Sequence, residues 1–246
     1  MNLALDLGNT RAKAVFFDND TEVAEYVYDK FTLDDCKALL RKHDTEAAIL
    51  CAVTAFDEAL PRFLRDNTRF FMQLAADTPQ PLEIDYGTPQ TLGADRLAAA
   101  TAAACIKPGR NILVIDAGTA LTFDLVTADG RFAGGNISPG ARLRFKALNA
   151  FTGKLPLLSL EECSGGLGKS TKEAILNGVV QGIVSEIGHY AESLSAEYED
   201  LLVFLTGGDC FYFAKKLKIP IFVVPNLLSQ GLNRILKYNL CRKSAL

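Results

Sequence analysis

Residues 2–13 read NLALDLGNTRAK and residues 112–123 read ILVIDAGTALTF. In each, an apolar run ends in an acid, Asp6 or Asp116, passes a glycine, Gly8 or Gly118, and then resumes. Apolar runs broken by such a turn predict strand, tight turn, strand: 2–7 with 12–17, and 111–115 with 122–127. Aligning Asp6 with Asp116 and Gly8 with Gly118 sets the two units 110 residues apart. A repeated unit of this kind predicts a duplicated α/β fold.

The flanking segments extend the pattern. Alternation over 23–28 predicts a third strand, and helical spacing over 33–42 follows Thr32, a residue suited to cap a helix. A buried strand is expected at 49–53, a helix at 55–67, and an alanine-rich helix at 97–104. After the second copy come the turn Ala128-Asp129-Gly130, a strand at 131–135, a helix at 172–195, strands at 201–206 and 219–224, and a helix at 229–240. The join falls at Lys107-Pro108-Gly109-Arg110, so the expected domains are 1–108 and 109–246.

Composition excludes several classes of function. The chain has 246 residues, 49% of them hydrophobic, enough for a sizeable core. Lys and Arg number 26 against 29 Asp and Glu, a net charge of −3, so there is no basic field to hold nucleic acid. Cysteines at 36, 51, 105, 163, 210 and 241 form no CxxC pair and have only His43 and His189 to join them, which argues against a zinc site or a disulfide framework. A reducing, cytoplasmic setting is expected. An aspartate at position 6 interrupts any signal-peptide run, no window nears the apolar length of a membrane span, and Cys241 is misplaced for prenylation.

Asp6 to Lys13 gathers backbone N–H groups, the Thr10 hydroxyl and the cations of Arg11 and Lys13 round one turn, a collection that suits a polyphosphate. An ordinary hairpin is the plain alternative. Asp116-Ala117-Gly118-Thr119 repeats the chemistry, and Leu205-Thr206-Gly207-Gly208-Asp209 adds a third glycine turn after a strand. Leu92-Gly93-Ala94-Asp95-Arg96 opens the alanine-rich helix, where Asp95 can accept a hydroxyl proton and Arg96 face an anion; acids also favour first turns for capping alone. Residues 165–171, GGLGKST, look like a P-loop, but that motif requires glycine at 163, where the chain has Cys163. They read as a loop leading into a helix. No GxSxG elbow accompanies either histidine, so a hydrolase triad has no support.

The three glycine turns resemble the phosphate and adenosine motifs of the actin, sugar kinase and Hsp70 ATPase superfold, whose members are duplicated ribonuclease H-like domains with a nucleotide cleft between them. Leu92 to Arg96, Asp116 to Thr122 and Gly134-Gly135-Asn136-Ile137-Ser138-Pro139-Gly140 narrow the resemblance to type III pantothenate kinase. Leu121 departs from that family, which commonly has a second Thr there. The resemblance implies ATP-dependent phosphorylation of pantothenate, the first step of coenzyme A biosynthesis, with Asp95 as catalytic base and Tyr86, Gly93, Ala94, Asp95, Arg96 and Thr171 at pantothenate. It implies that Asp6, Leu7, Gly8, Asn9, Thr10, Arg11, Ala12, Lys13 and Thr119 bind ATP with Mg²⁺, and that Asp116 holds a monovalent cation, K⁺ or NH₄⁺. A homodimer is implied as well, with Thr171 able to act on the partner's site. Rival readings are a kinase of the same superfold acting on a sugar or other small hydroxy compound, an ATP-binding transcription accessory factor of the same family, and a polymerising actin-like protein. The first lacks need of the Gly93–Arg96 run, the second has no use for a base, and the third needs insertions that this length leaves little room for.

Overall fold

The first acid-glycine turn closes an antiparallel hairpin. β1 (Asn2–Leu7) pairs with β2 (Ala12–Asp18), Asp6 lying opposite Lys13, and the Gly8 N–H donates to the Arg11 carbonyl at 3.1 Å. β3 (Thr21–Tyr28) pairs with β2. On the other side β4 (Ala47–Ala52) runs parallel to β1 and β5 (Phe70–Gln73) parallel to β4, giving the order β3-β2-β1-β4-β5. β1 and β4 are central, and their near-continuous apolar runs are those of strands covered on both faces.

One face of this sheet carries α1 (Leu33–Lys42) and α2 (Ala59–Asn67), packing Cys36, Leu39, Leu60 and Leu64 on Leu3, Leu5 and Phe16. Thr32 and Asp35 form a capping box: the Asp35 N–H donates to Thr32 Oγ1 at 3.2 Å and the Thr32 N–H to Asp35 Oδ2 at 2.9 Å. α2 starts later than the expected residue 55 because Asp57 Oδ1 takes the Ala59 N–H at 2.9 Å, ending the preceding loop with a side-chain acceptor. The other face carries α3 (Ala94–Ile106) and α7 (Leu227–Ser244). Ala98, Leu232, Ile235 and Leu236 pack there against Ala4, Val15 and Ile49. α3 and α7 approach so closely that a Cβ on Gly231 would lie 1.8 Å from the Ala98 carbonyl oxygen.

The computed structural model describes residues 1–244, so the end of the C-terminal stretch read above lies outside the described residues. The chain divides into two compact units. The first holds Met1–Gly109, Ala128–Ala133 and residues 226–244; the second holds Arg110–Thr127 and Gly134–Pro225. A cut at residue 108 differs from this in two places, each with a physical cause. The apolar face of α7 belongs to the first unit's core, and β6 (Glu83–Ile84) pairs in parallel with the start of β9 (Arg131–Pro139), Ile84 opposite Phe132.

In the second unit β7 (Ile112–Ala117) and β8 (Ala120–Val126) form the repeated hairpin, with Asp116 opposite Thr122. β10 (Leu202–Thr206) runs parallel to β7, and β11 (Phe222–Val223), cut short after Pro220, runs parallel to β10. α4 (Ala141–Ala150), α5 (Thr171–Glu197) and α6 (Cys210–Ala214) complete the unit. Ile175, Leu176, Val179, Val180, Ile183 and Ile187 form the buried stripe of α5, at helical spacing, against Leu113, Ile115 and Phe123. No helix among the described residues is long and apolar enough to cross a membrane.

Candidate functional site

The first unit carries two of the expected carboxylates. Asp6, next to last in β1, lies in register beside Cys51, next to last in β4, and Asp95 lies in the first turn of α3. Burial first, then the negative charges of Asp6 and Asp95, push the Cys51 thiol up. One buried thiol therefore feels both carboxylates. In the turn, Asn9, Thr10 and Arg11 are exposed, whereas Leu7 and Ala12 are buried and serve the core. Gly8 has a local reason: a Cβ there would meet the Arg11 carbonyl at 2.9 Å. The Lys13 ammonium donates to Asn226 Oδ1 at 2.8 Å and pairs with Glu25 at 3.2 Å. Asn226 in turn donates to Glu22 at 2.9 Å and to Glu25 at 3.1 Å.

Asp95 and Arg96 are held tightly. A Cβ on Gly93, the N-cap of α3, would stand 2.5 Å from Asp95 Oδ1, so glycine leaves that carboxylate its place. Asp95 Oδ1 also accepts the Arg96 N–H at 2.9 Å. Arg96 is buried, and its guanidinium lies 5.8 Å from the centre of the Phe132 ring. Tyr86 meets the same ring edge-on at 6.0 Å. Nothing local in the sequence marks Phe132; the pairing of β6 with β9 sets it beside Tyr86.

The second unit builds its own turn from backbone contacts. The Gly118 N–H donates to the Ala120 carbonyl at 3.0 Å, and the Gly140 N–H to the Thr119 carbonyl at 3.1 Å. Asp116 Oδ1 is closed in by glycines: a Cβ would come within 2.9 Å of it from Gly118 and 2.3 Å from Gly207. Gly207 has φ of +92°, a conformation that favours glycine, and the Asp209 N–H after it donates to the Ala117 carbonyl at 2.9 Å. The third glycine turn is thus fastened to the second within this unit. Leu121 is buried in the core beside Ile115. Its departure from the family pattern is a packing choice, and the adjacent Thr122 hydroxyl donates to Asp124 at 3.3 Å. Thr171 is exposed at the first position of α5, the cap itself being Ser170, whose Oγ takes the Glu173 N–H at 3.2 Å.

Chemically, the first unit offers carboxylates, a turn bearing cations and a buried guanidinium. The second offers a carboxylate, a hydroxyl and close-packed main chain. Oxygen donors of this kind suit hard cations, and glycine turns with adjacent cations suit phosphate oxygens.

Comparison with known proteins agrees with this chemistry. A family model described as type III pantothenate kinase matches residues 2–193. A protein of Phocaeicola vulgatus named type III pantothenate kinase is 45% identical over 239 residues, covering 97% of this chain and 99% of its own. One of Bacteroides fragilis with the same name is 46% identical over 240 residues, covering 97% and 98%. Among solved structures, a Campylobacter jejuni protein named for the Baf family of transcriptional activators aligns with a TM-score of 0.63 at 22% identity, covering 97% of this chain and 99% of that one. The ROK hexokinase of Thermus thermophilus aligns at 0.53 and 15% identity, covering 97% and 99%. At these identities the two structures speak for the fold alone, that of the actin-like and sugar kinase ATPases.

Proposed function

The chain belongs to the type III pantothenate kinase family, and from that premise we propose which of its residues carry the reaction. It is an enzyme that uses ATP to phosphorylate pantothenate, in coenzyme A biosynthesis. The observation that carries the site assignment is the first turn of α3, where the Asp95 carboxylate, given room by Gly93, stands next to a buried Arg96.

Phosphoryl transfer depends chiefly on alignment and charge neutralisation, with a carboxylate near the accepting hydroxyl. In this reading Asp95 takes the proton of the primary hydroxyl of pantothenate as that oxygen bonds to the γ-phosphorus. The bond from the γ-phosphorus to ADP breaks, and 4′-phosphopantothenate leaves. Arg96 receives the substrate carboxylate through a charge-assisted hydrogen-bonded pair; Gly93 and Ala94 line the same turn, and Tyr86 closes against the substrate, with Thr171 supplying a hydroxyl. Asp6 to Lys13, with Thr119, hold the nucleotide. Lys13 reaches the phosphates as one of several partners, since Glu25 and Asn226 fix its resting position.

The donor sets fit two cations. Asp6 is a strand-end carboxylate suited to the waters of Mg²⁺, and Asp116 with the Thr119 hydroxyl is suited to K⁺ or NH₄⁺. Bound there, these ions supply positive charge against the triphosphate. A homodimer is supported by exposed apolar side chains of the second unit, Ile137 at 62%, Phe151 at 88% and Leu167 at 98%. Six cysteines, with no disulfide among the described residues, support a reducing, cytoplasmic location.

Mass spectrometry of the product formed from MgATP with pantothenate, and separately with hexoses, tests this function. A phosphate on pantothenate is expected. A phosphorylated hexose with unchanged pantothenate would move the enzyme to the sugar-kinase reading.

A further inference from the structure

Phe132 has no exposed surface, yet its ring touches two side chains of the pantothenate site read above. The Arg96 guanidinium lies 5.8 Å from the ring centre, and the Tyr86 ring meets it at 6.0 Å with 73° between planes. A cation over an aromatic face and an edge-on ring pair are both attractive at these separations.

Main-chain bonds fix the backbone that carries the ring without drawing on Arg96. Ile84 of β6 pairs with Phe132, and the Asp85 N–H donates to the Phe132 carbonyl at 3.0 Å. Arg131, the preceding residue, is ion-paired to Asp129 at 2.7 Å and to Asp85 at 3.8 Å. The same short pairing thus places the Phe132 ring and delivers Tyr86, which follows Asp85 in sequence. An arginine already ordered over an aromatic face loses less freedom when its anion arrives, and its planar fork arrives aimed.

We propose that Phe132 is a positioning residue of this kinase: its ring orients Arg96 for the substrate carboxylate and seats Tyr86 beside it, so that it governs pantothenate affinity and not the rate of phosphoryl transfer. The proposal rests on the reading of Arg96 and Tyr86 as pantothenate-binding residues. Phe132 brings no polar atom to the reacting groups, so its action is indirect. The electron-rich face of the ring matters here, beyond its bulk.

Bulk and face are separable by experiment. Replacing Phe132 with mono-, di- and trifluorophenylalanine withdraws charge from the ring face at nearly constant shape. The KM for pantothenate should climb along the series, to about 3- to 30-fold, the range expected for loss of a cation–π contact. The KM for ATP, kcat and the melting temperature should stay nearly level. Phe132→Met, which keeps most of the volume and discards the ring, should raise the same KM. A flat series overturns the proposal, as does a fall in kcat at constant KM. Arg96→Ala, measured alongside, tells the two failures apart. If it raises the pantothenate KM while the fluorinated series is flat, only the positioning role is lost; if it leaves that KM unchanged, the binding reading fails and the proposal goes with it.

Discussion

A methyl group placed at Gly140 would test how the second unit's turn is built. The added Cβ would stand 2.2 Å from the Gly118 carbonyl oxygen and 2.7 Å from that of Thr119. Ordinary contact begins at 3.4 Å, so the turn or the start of α4 must retreat by more than 1 Å. Both neighbours are main chain, which cannot swing aside as a side chain would. The backbone φ at Gly140 is −68°, open to alanine, so the whole effect is steric. Overpacking of this kind costs about 1–3 kcal/mol of stability, and a misplacement near 1 Å at an aligning group can lower activity about 100-fold. Gly140→Ala should therefore lower the melting temperature by several degrees and weaken ATP, read as KM and as calorimetric affinity for a non-hydrolysable analogue. Gly188→Ala is the control: nothing lies within 4 Å of a Cβ there, on α5, and alanine should stabilise the helix by about 0.5–1 kcal/mol. Parental stability and ATP affinity in Gly140→Ala would refute the close approach. Lost stability with normal ATP affinity, measured at a temperature where the variant is folded, would separate the turn from the nucleotide.

Asp95→Asn should reduce kcat by about 10²–10⁴-fold with ATP binding and circular dichroism near those of the parent, whereas Arg96→Ala should raise the pantothenate KM by roughly one to two powers of ten; near-normal turnover in the first would remove Asp95 from the chemistry. Activity should be higher in potassium or ammonium buffer than in sodium, and Asp116→Asn should flatten that difference; equal rates in all three salts would leave Asp116 without its cation. Gly231→Ala should cost about 1–3 kcal/mol or more in urea unfolding, because its methyl would meet the Ala98 carbonyl of α3. The Lys237 hydrogen bond, with Arg234 assisting against burial, holds the Asp20 carboxyl below its ordinary 3.8; its stabilisation is complete above that value and lost as the pH falls through the lower folded value. Asp20→Asn should therefore trail the parent in melting temperature at neutral pH and converge with it in acid.

What could be read in the residues was whatever local chemistry decides. Both acid-glycine hairpins, the Thr32 cap and the helix over 172–195 follow from neighbours a few positions apart, and each is present. Contacts between distant segments left no comparable trace. α4 was missed because its apolar positions, buried only at Ala141 and Phe145, are too few to show a period. β6 has two residues and exists only through its partner in β9. Of the site, Asp95 and Arg96 stood out by motif, while the glycines closing on Asp116 acquire their reason only where Gly118 and Gly207 meet its carboxylate. Lys13 shows the converse: its turn is legible, but its partners Glu25 and Asn226 are not.

The seat of α7 bears on how the protein is made. Ala4, Val15 and Ile49 emerge from the ribosome early, but Leu232, Ile235 and Leu236, which cover them, emerge only after every residue of the second unit. Until then the sheet of the first unit must wait with that apolar face covered by α3 alone, a condition in which nascent chains attract chaperones or one another. A tag, a premature stop or a slow codon run ahead of residue 226 should therefore burden the N-terminal sheet, far away in sequence, before it touches any catalytic group.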